Sequence, residues 1–175
     1  MDADTLYRWI PIIFSIFSLY YAYQANSDRK KQIKSMKLKD DMTVIRKVFP
    51  VEIDSELRCN IVGVYNNSNY PVYDIFVLQG LNNFQIEEAQ HYGVVRYIRS
   101  IEPKTKMEIK MENAGLGMNK YFVAGMFFRD YKGNEWFRDS MGKLSRADHY
   151  KEMLSEKRIA IPPYSPVTGK IVSLY

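Results

Sequence analysis

The sequence predicts an all-β fold: an Ig-like antiparallel β-sandwich preceded by one N-terminal transmembrane α-helix and finished by a short C-terminal helix. Three observations carry that expectation. After Lys39, short apolar runs separated by turn residues recur at fairly regular spacing, as they do in sandwiches. Fourteen tyrosines help to raise the aromatic fraction to 14%, and Tyr suits strands better than helices. Near the start, by contrast, one apolar run is far too long for a strand and fits a helix.

That run, "LYRWIPIIFSIFSLYYAY" from Leu6 to Tyr23, is interrupted by a single charge, Arg8. At 1.5 Å per residue about 18 residues cover roughly 27 Å, most of a hydrocarbon core of about 30 Å. Tyr7 and Trp9 stand at one end and Tyr20, Tyr21 and Tyr23 at the other, where aromatic rings settle at the headgroup levels. Arg8 can snorkel to the near interface, and Pro11 falls in the first turns, where a kink costs least. A cleavable signal peptide needs a positive leading segment and a small-residue cleavage site. Here the leader is "MDADT" and no such site follows. The run is therefore expected to be an uncleaved anchor.

The division expected is an anchor over 1–27, a basic juxtamembrane linker over 28–41 and the sandwich domain over 42–175. Within Asp28–Lys39 six cations, Arg29, Lys30, Lys31, Lys34, Lys37 and Lys39, stand against one acid. This cluster follows the anchor and an acidic flank precedes it, so the positive-inside rule places the N-terminus outside and the domain in the cytoplasm at the cell membrane. The same cations are the expected contact with an anionic leaflet. They also supply most of the net charge of +5. The domain itself lacks the broad cationic face that many phosphate contacts need, which argues against nucleic acid. The lone Cys59 allows no internal disulfide.

Eight strand-like runs follow: "TVIRKVF", "RCNIVGVYN", "YPVYDIFVL", "VVRYIRSI", "KMEIKME", "YFVAGMFFR", "NEWFRD" and a weaker "GKIVSLY". "NNSN" reads as a polar hairpin loop between the second and third, and "EPKT" as a turn between the fourth and fifth. "YFVAGMFF" is apolar on both faces, as in a central strand or one covered by the C-terminal tail. "SRADHYKEMLSEK" reads as one helix capped by Ser145 with Asp148 three residues on, carrying Tyr150 and Leu154 on one face and closing one end of the sandwich.

The charged stretch "FFRDYKGNEWFRDSMGKL", Phe127 to Leu144, decides between an active-site loop and a turn. Asp130 followed three residues later by Gly133 is the chemistry of a type I turn ending in a left-handed residue, a usual hairpin loop. Trp136 then serves as a core anchor with Arg138 on the same face, and Gly142 marks the next turn. On this reading Asp130→Asn costs little, because Asn makes the same turn contacts.

The motif N-x-S-x-x-P-V-x-D, at Asn66, Ser68, Pro71, Val72 and Asp74, is joined by D-x-x-G-x-x-W-x-R-x-x-x-G-x-L, at Asp130, Gly133, Trp136, Arg138, Gly142 and Leu144. Together they resemble a group of small, uncharacterised single-pass membrane proteins of Gram-positive bacteria with an N-terminal helix, a short linker and a sandwich domain. The resemblance covers most of the chain, implies that layout and carries no activity with it. The chain departs from the group in being richer in Lys, Tyr and Met.

Groups that could converge on catalysis are few. His91 and His149 lie far apart and outside any metal-ligand spacing, and neither a phosphate-binding Gly-rich loop nor a G-x-S-x-G elbow occurs. Glu87 and Glu88 read as solvated loop charge. No catalytic, metal or cofactor residue is therefore assigned. The function expected is a non-enzymatic, membrane-tethered adaptor or regulatory module that binds a protein partner on the cytoplasmic face. The alternative is an outward-facing surface-binding or adhesion domain.

Overall fold

A computed structural model describes residues 3–55, 59–82, 94–112 and 121–174. The chain falls into two compact units, residues 1–42 and 43–175. The first is almost wholly one helix, α1 (Ala3–Ile45), of 43 residues and about 64 Å. Beyond Tyr23 its sequence is rich in Lys, with Asp, Gln, Met, Ile and Ser and without Gly or Pro, so little opposes helix propagation. The basic run 29–39 is thus helical. Among the described residues no helix is long and apolar enough to cross a membrane. Ser15, Ser18, Tyr20, Tyr21 and Tyr23 interleave the aliphatic side chains of α1 and hold its mean hydropathy down.

The second unit is a two-sheet antiparallel sandwich. One sheet has the order β1 (Val48–Ser55), β2 (Cys59–Asn66), β5 (Thr105–Glu112), β9 (Lys170–Ser173). The other runs β4 (Val94–Ile101), β3 (Val72–Leu81), β6 (Phe122–Arg129), β7 (Glu135–Arg138), β8 (Leu144–Arg146). Strand alternation places Val62 and Val64 beside Ile109 and Met107 in the first sheet, and Ile75, Val77, Met126 and Phe128 beside Ile98 and Trp136 in the second. These inward rows form the core between the sheets.

The five-stranded sheet is buried on its outer face as well. Phe76, Leu78, Tyr97, Phe127 and Phe137 share that face, and Tyr150 and Leu154 of α2 (Tyr150–Glu156) pack onto them. Double burial explains why "YFVAGMFF" is apolar throughout: β6 lies inside the sheet and under α2.

Three local expectations are corrected. The strand expected at "TVIRKVF" is displaced, because α1 runs on to Ile45, which is buried, and β1 begins at Val48. "NNSN" is an arch rather than a hairpin loop, since β2 and β3 belong to different sheets. The helix expected from Ser145 begins at Tyr150. Ser145 lies in β8 opposite Phe137, and residue 149 fills the N-cap in a left-handed conformation (φ 65°) without a side-chain cap. Strand pairing has overridden the capping pattern. α2 accordingly covers a sheet face instead of an end.

Candidate functional site

The stretch around Asp130 is a hairpin closed by a buried carboxylate. Asp130 N donates to Asn134 O at 2.9 Å and Gly133 N donates to Asp130 O at 3.0 Å, with Gly133 at φ +84°. Asp130 Oδ1 accepts the Lys132 and Asn134 backbone N–H groups, each at 2.8 Å. Its Oδ2 accepts Asn134 Nδ2 and the indole Nε1 of Trp136, each at 2.9 Å. Trp136 is fully buried, and the Arg146 guanidinium lies 4.4 Å from its ring centroid. All four acceptor directions of the carboxylate are taken. The expectation that Asn replaces Asp130 cheaply is therefore corrected, because an amide offers one acceptor oxygen where four donors converge.

Arg138, buried on the core side, reaches back to the start of the domain. Its Nη2 donates to Arg46 O at 3.0 Å and its Nη1 to Gly142 O at 2.9 Å. A cation at the free carbonyls that end a helix satisfies orphan acceptors and complements the dipole. Burial lowers the Arg138 pKa from its ordinary value, yet a guanidinium stays charged.

The first part of the resemblance motif is also a hydrogen-bond knot. Asn66 Nδ2 donates to Tyr70 O at 2.8 Å, Ile101 O at 3.0 Å and Glu102 O at 3.1 Å. Its Oδ1 accepts from Ser68 Oγ at 2.6 Å and Ser68 N at 3.2 Å. One fully buried amide thus ties the β2–β3 arch to the β4–β5 turn.

Asp74, the last residue of that motif, centres a cluster of charged side chains. It has φ 51°, and the β3–β6 register slips between Tyr73 and Phe76. Such a bulge re-aims a side chain. Its Oδ2 meets Arg129 Nη2 and Lys151 Nζ, each at 2.8 Å, and its Oδ1 accepts the Tyr97 hydroxyl at 3.0 Å. The buried Tyr150 hydroxyl donates to Asp74 O at 2.6 Å. Burial alone would raise the Asp74 pKa, but the bonds from Lys151 and Tyr97 and the charges of Lys151 and Arg129 outweigh it and hold the carboxyl below its ordinary value. Burial first, and then the Asp74 bond and charge, push the Tyr97 hydroxyl up. The cluster of one carboxylate, two cations and two tyrosine hydroxyls is a clasp that fastens α2 to the sheet. Sequence reading passed over it, although one acid inside "VYDIFVL" already demands a partner.

The six cations of the membrane-surface reading, Arg29, Lys30, Lys31, Lys34, Lys37 and Lys39, are all exposed on α1. At 3.6 residues per turn, five of them fall within an arc of about 200° and Lys39 lies outside it. They form a broad collar. The 3.9 Å Lys31–Asp28 pair is fully exposed to screening and contributes little. His149 is exposed, 3.5 Å from Glu152, while His91, Glu87 and Glu88 lie outside the described residues.

Compared with known proteins, the chain matches no family model, no curated protein and no solved structure.

Proposed function

We propose that the chain is a membrane-tethered, non-enzymatic interaction module: α1 anchors it in the bilayer, the N-terminus lies outside, and an Ig-like domain in the cytoplasm binds a protein partner. One observation carries the tether. Phe14, Ile16, Phe17, Leu19, Tyr20, Tyr21 and Tyr23 are each 57–77% exposed and spread over about 220° of the helix circumference, the remaining arc holding the small residues Ser15, Ser18 and Ala22. So wide an exposed apolar face without a charged side chain belongs in an apolar surrounding, and the tyrosines that lower the hydropathy of the helix are the side chains favoured at headgroup level. The exposed cations that follow favour the cytoplasmic side. In an upright helix Lys39 would stand about 24 Å beyond Tyr23, well past a Debye length of about 8 Å. In one unbroken helix anchored at Tyr23 the lipid attraction therefore falls on the cations nearest the membrane, Arg29, Lys30 and Lys31, and fades towards Lys39.

The strand order supports the Ig-like reading. Strands one, two and five share a sheet and three, six and seven share the other, as in sandwiches of that type, while the fourth strand pairs with the third instead of joining the first sheet. The non-enzymatic reading rests on how the conspicuous polar side chains are used: Asp130, Asn66 and Asp74 are all consumed by internal bonds. Membrane fractionation tests the tether. The chain should remain with membranes in high salt and in alkaline carbonate, and a reporter fused after Tyr175 should be active in the cytoplasm. Release by salt would reduce α1 to a peripheral element, and an active exterior reporter would turn the domain outward.

A further inference from the structure

We infer that the outer face of the four-stranded sheet receives the protein partner, and that the partner presents an amphipathic helix, apolar on one side and acidic along one flank; the inference deepens the interaction reading above and rests on it. The strand edges of the sandwich are poorly suited to a partner. β1 carries Pro50, which has no N–H, and its register slips between Glu52 and Asp54, two features that blunt an edge. β4 is met by the C-terminal tail, where Val167 N donates to Tyr97 O at 2.9 Å, and β8 and β9 have only three and four residues. A face is better placed than an edge. That of the five-stranded sheet is covered by α2, whereas the four-stranded sheet leaves Val51 and Ile53 39% and 41% exposed.

The alternation that turns Val62 and Val64 inward turns Ile61, Gly63 and Tyr65 of β2 outward. Phe49 and Tyr65 stack across β1 and β2 with ring centroids 5.2 Å apart. Gly63 lets Ile53 lie flat on β2, since a Cβ there would stand 2.5 Å from Ile53 Cδ1. Ile61 carries this apolar stripe into a groove of about 500 Å³ bordered by Lys110, Thr168 and Lys170. The acids of the outward row on β5 are already engaged: Glu108 pairs with Lys106 at 2.7 Å and Glu112 with Arg96 at 3.3 Å. Lys110 and Lys170 form no ion pair among the described residues. Two uncompensated cations thus border the stripe on its β5–β9 side. A helix with apolar side chains on the stripe and carboxylates towards those lysines matches both features, and a basic helix meets like charge.

The test uses the full chain in phosphatidylcholine nanodiscs, with empty discs as the blank and two short fluorescent helical peptides as probes. Both carry leucines along one face, flanked by glutamates in one peptide and by lysines in the other. Fluorescence anisotropy should show the glutamate peptide binding several-fold more tightly. Lys110→Glu/Lys170→Glu should reverse that preference, and Lys110→Gln/Lys170→Gln, which adds no acid beside Glu108, should abolish it. Val51→Asp should weaken the glutamate peptide several-fold, and Lys132→Glu, in the Asp130 turn, should leave its binding unchanged; thermal melts show that each variant is folded. No binding of the glutamate peptide, a preference that survives both lysine pairs, or an equal loss with Lys132→Glu overturns the docking face. A photocrosslinking side chain placed in cells at Val51, Tyr131 or Ser155 separates the two ideas. Protein adducts at Tyr131 or Ser155 but not at Val51 remove only this face, and none at any of the three removes the interaction reading as well.

Discussion

The turn at Asp130 and the turn at Asp139 are built from the same parts. In both, an Asp three residues before a Gly accepts two backbone N–H groups on Oδ1: Lys132 and Asn134 at 2.8 Å each in the first, Met141 at 2.9 Å and Lys143 at 2.8 Å in the second. The glycines have φ +84° and +83°. Gly133 N reaches Asp130 O at 3.0 Å and Gly142 N reaches Asp139 O at 3.1 Å. They differ in what lies beyond the turn. Asp130 is buried and its second oxygen holds Asn134 and Trp136, whereas Asp139 is only half-buried. Identical local chemistry specifies both turns, and only in the first does the turn carboxylate itself reach a core side chain.

The largest expected effect comes from the residue six positions after each aspartate. Trp136 is fully buried, and Trp136→Ala should lower stability by about 3 to 5 kcal/mol through lost burial and a cavity. Its counterpart Ser145 is half-buried in the marginal strand β8, and Ser145→Ala should stay within about 0.5 kcal/mol. Denaturant unfolding of both variants checks the contrast. Similar costs at the two sites would break the comparison.

Next come the aspartates themselves. Asp130→Asn should cost about 1 to 3 kcal/mol, because the new NH2 group faces donors and leaves at least one of them buried without an acceptor. Asp139→Asn, with solvent at hand, should stay within about 0.5 kcal/mol. Trp136→Phe, which removes the indole donor, should make the Asp130→Asn cost smaller in a double-mutant cycle. Additive costs would mean that the two side chains do not act through their shared bond.

That pair also shows how far the sequence could be read. The D-x-x-G spacing is a local code, so the turn and the left-handed Gly133 were legible. The recurrence of apolar runs revealed a two-sheet antiparallel fold for the same reason, since strand alternation is local. What escaped needed pairing across the chain. Nothing near Asp130 shows that its second oxygen meets Trp136, and Asp74 meets Lys151 from 77 residues away. Ser145 has a helix-capping pattern, and only the partner strand β7 makes it a strand residue.

Asp74 extends the comparison to a carboxylate held by two cations and a hydroxyl. Its folded pKa is depressed, so its contribution is fully present above the unfolded value of about 3.9 and is lost as pH falls through the lower folded value. Asp74→Asn should therefore be less stable than the parent at pH 7 by about 1 kcal/mol, and the gap should close as the medium is acidified below about pH 4. Lys151→Met should show the same acid-side convergence, since it removes part of what depresses the pKa. A gap that persists at low pH would assign the loss to packing of α2 instead of the ion pairs.

The smallest difference is expected at the glycines, where the comparison predicts equality. A Cβ at Gly133 would meet nothing within 4 Å, and one at Gly142 would meet only Arg138 Nη1 at 3.9 Å. Space is therefore not the issue at either position; the positive φ is. Gly→Ala in that region costs about 1 kcal/mol from the clash of Cβ with its own backbone. The burial that separates Asp130 from Asp139 does not enter this cost, so Gly133→Ala and Gly142→Ala should agree within about 0.5 kcal/mol. A markedly larger loss at Gly133 would show that strain in the turn propagates through Asp130 to Trp136, and that the buried hairpin is a cooperative unit while the exposed one is not. A larger loss at Gly142 would point to Arg138, whose Nη1 bond to Gly142 O would then couple the second turn to the end of α1.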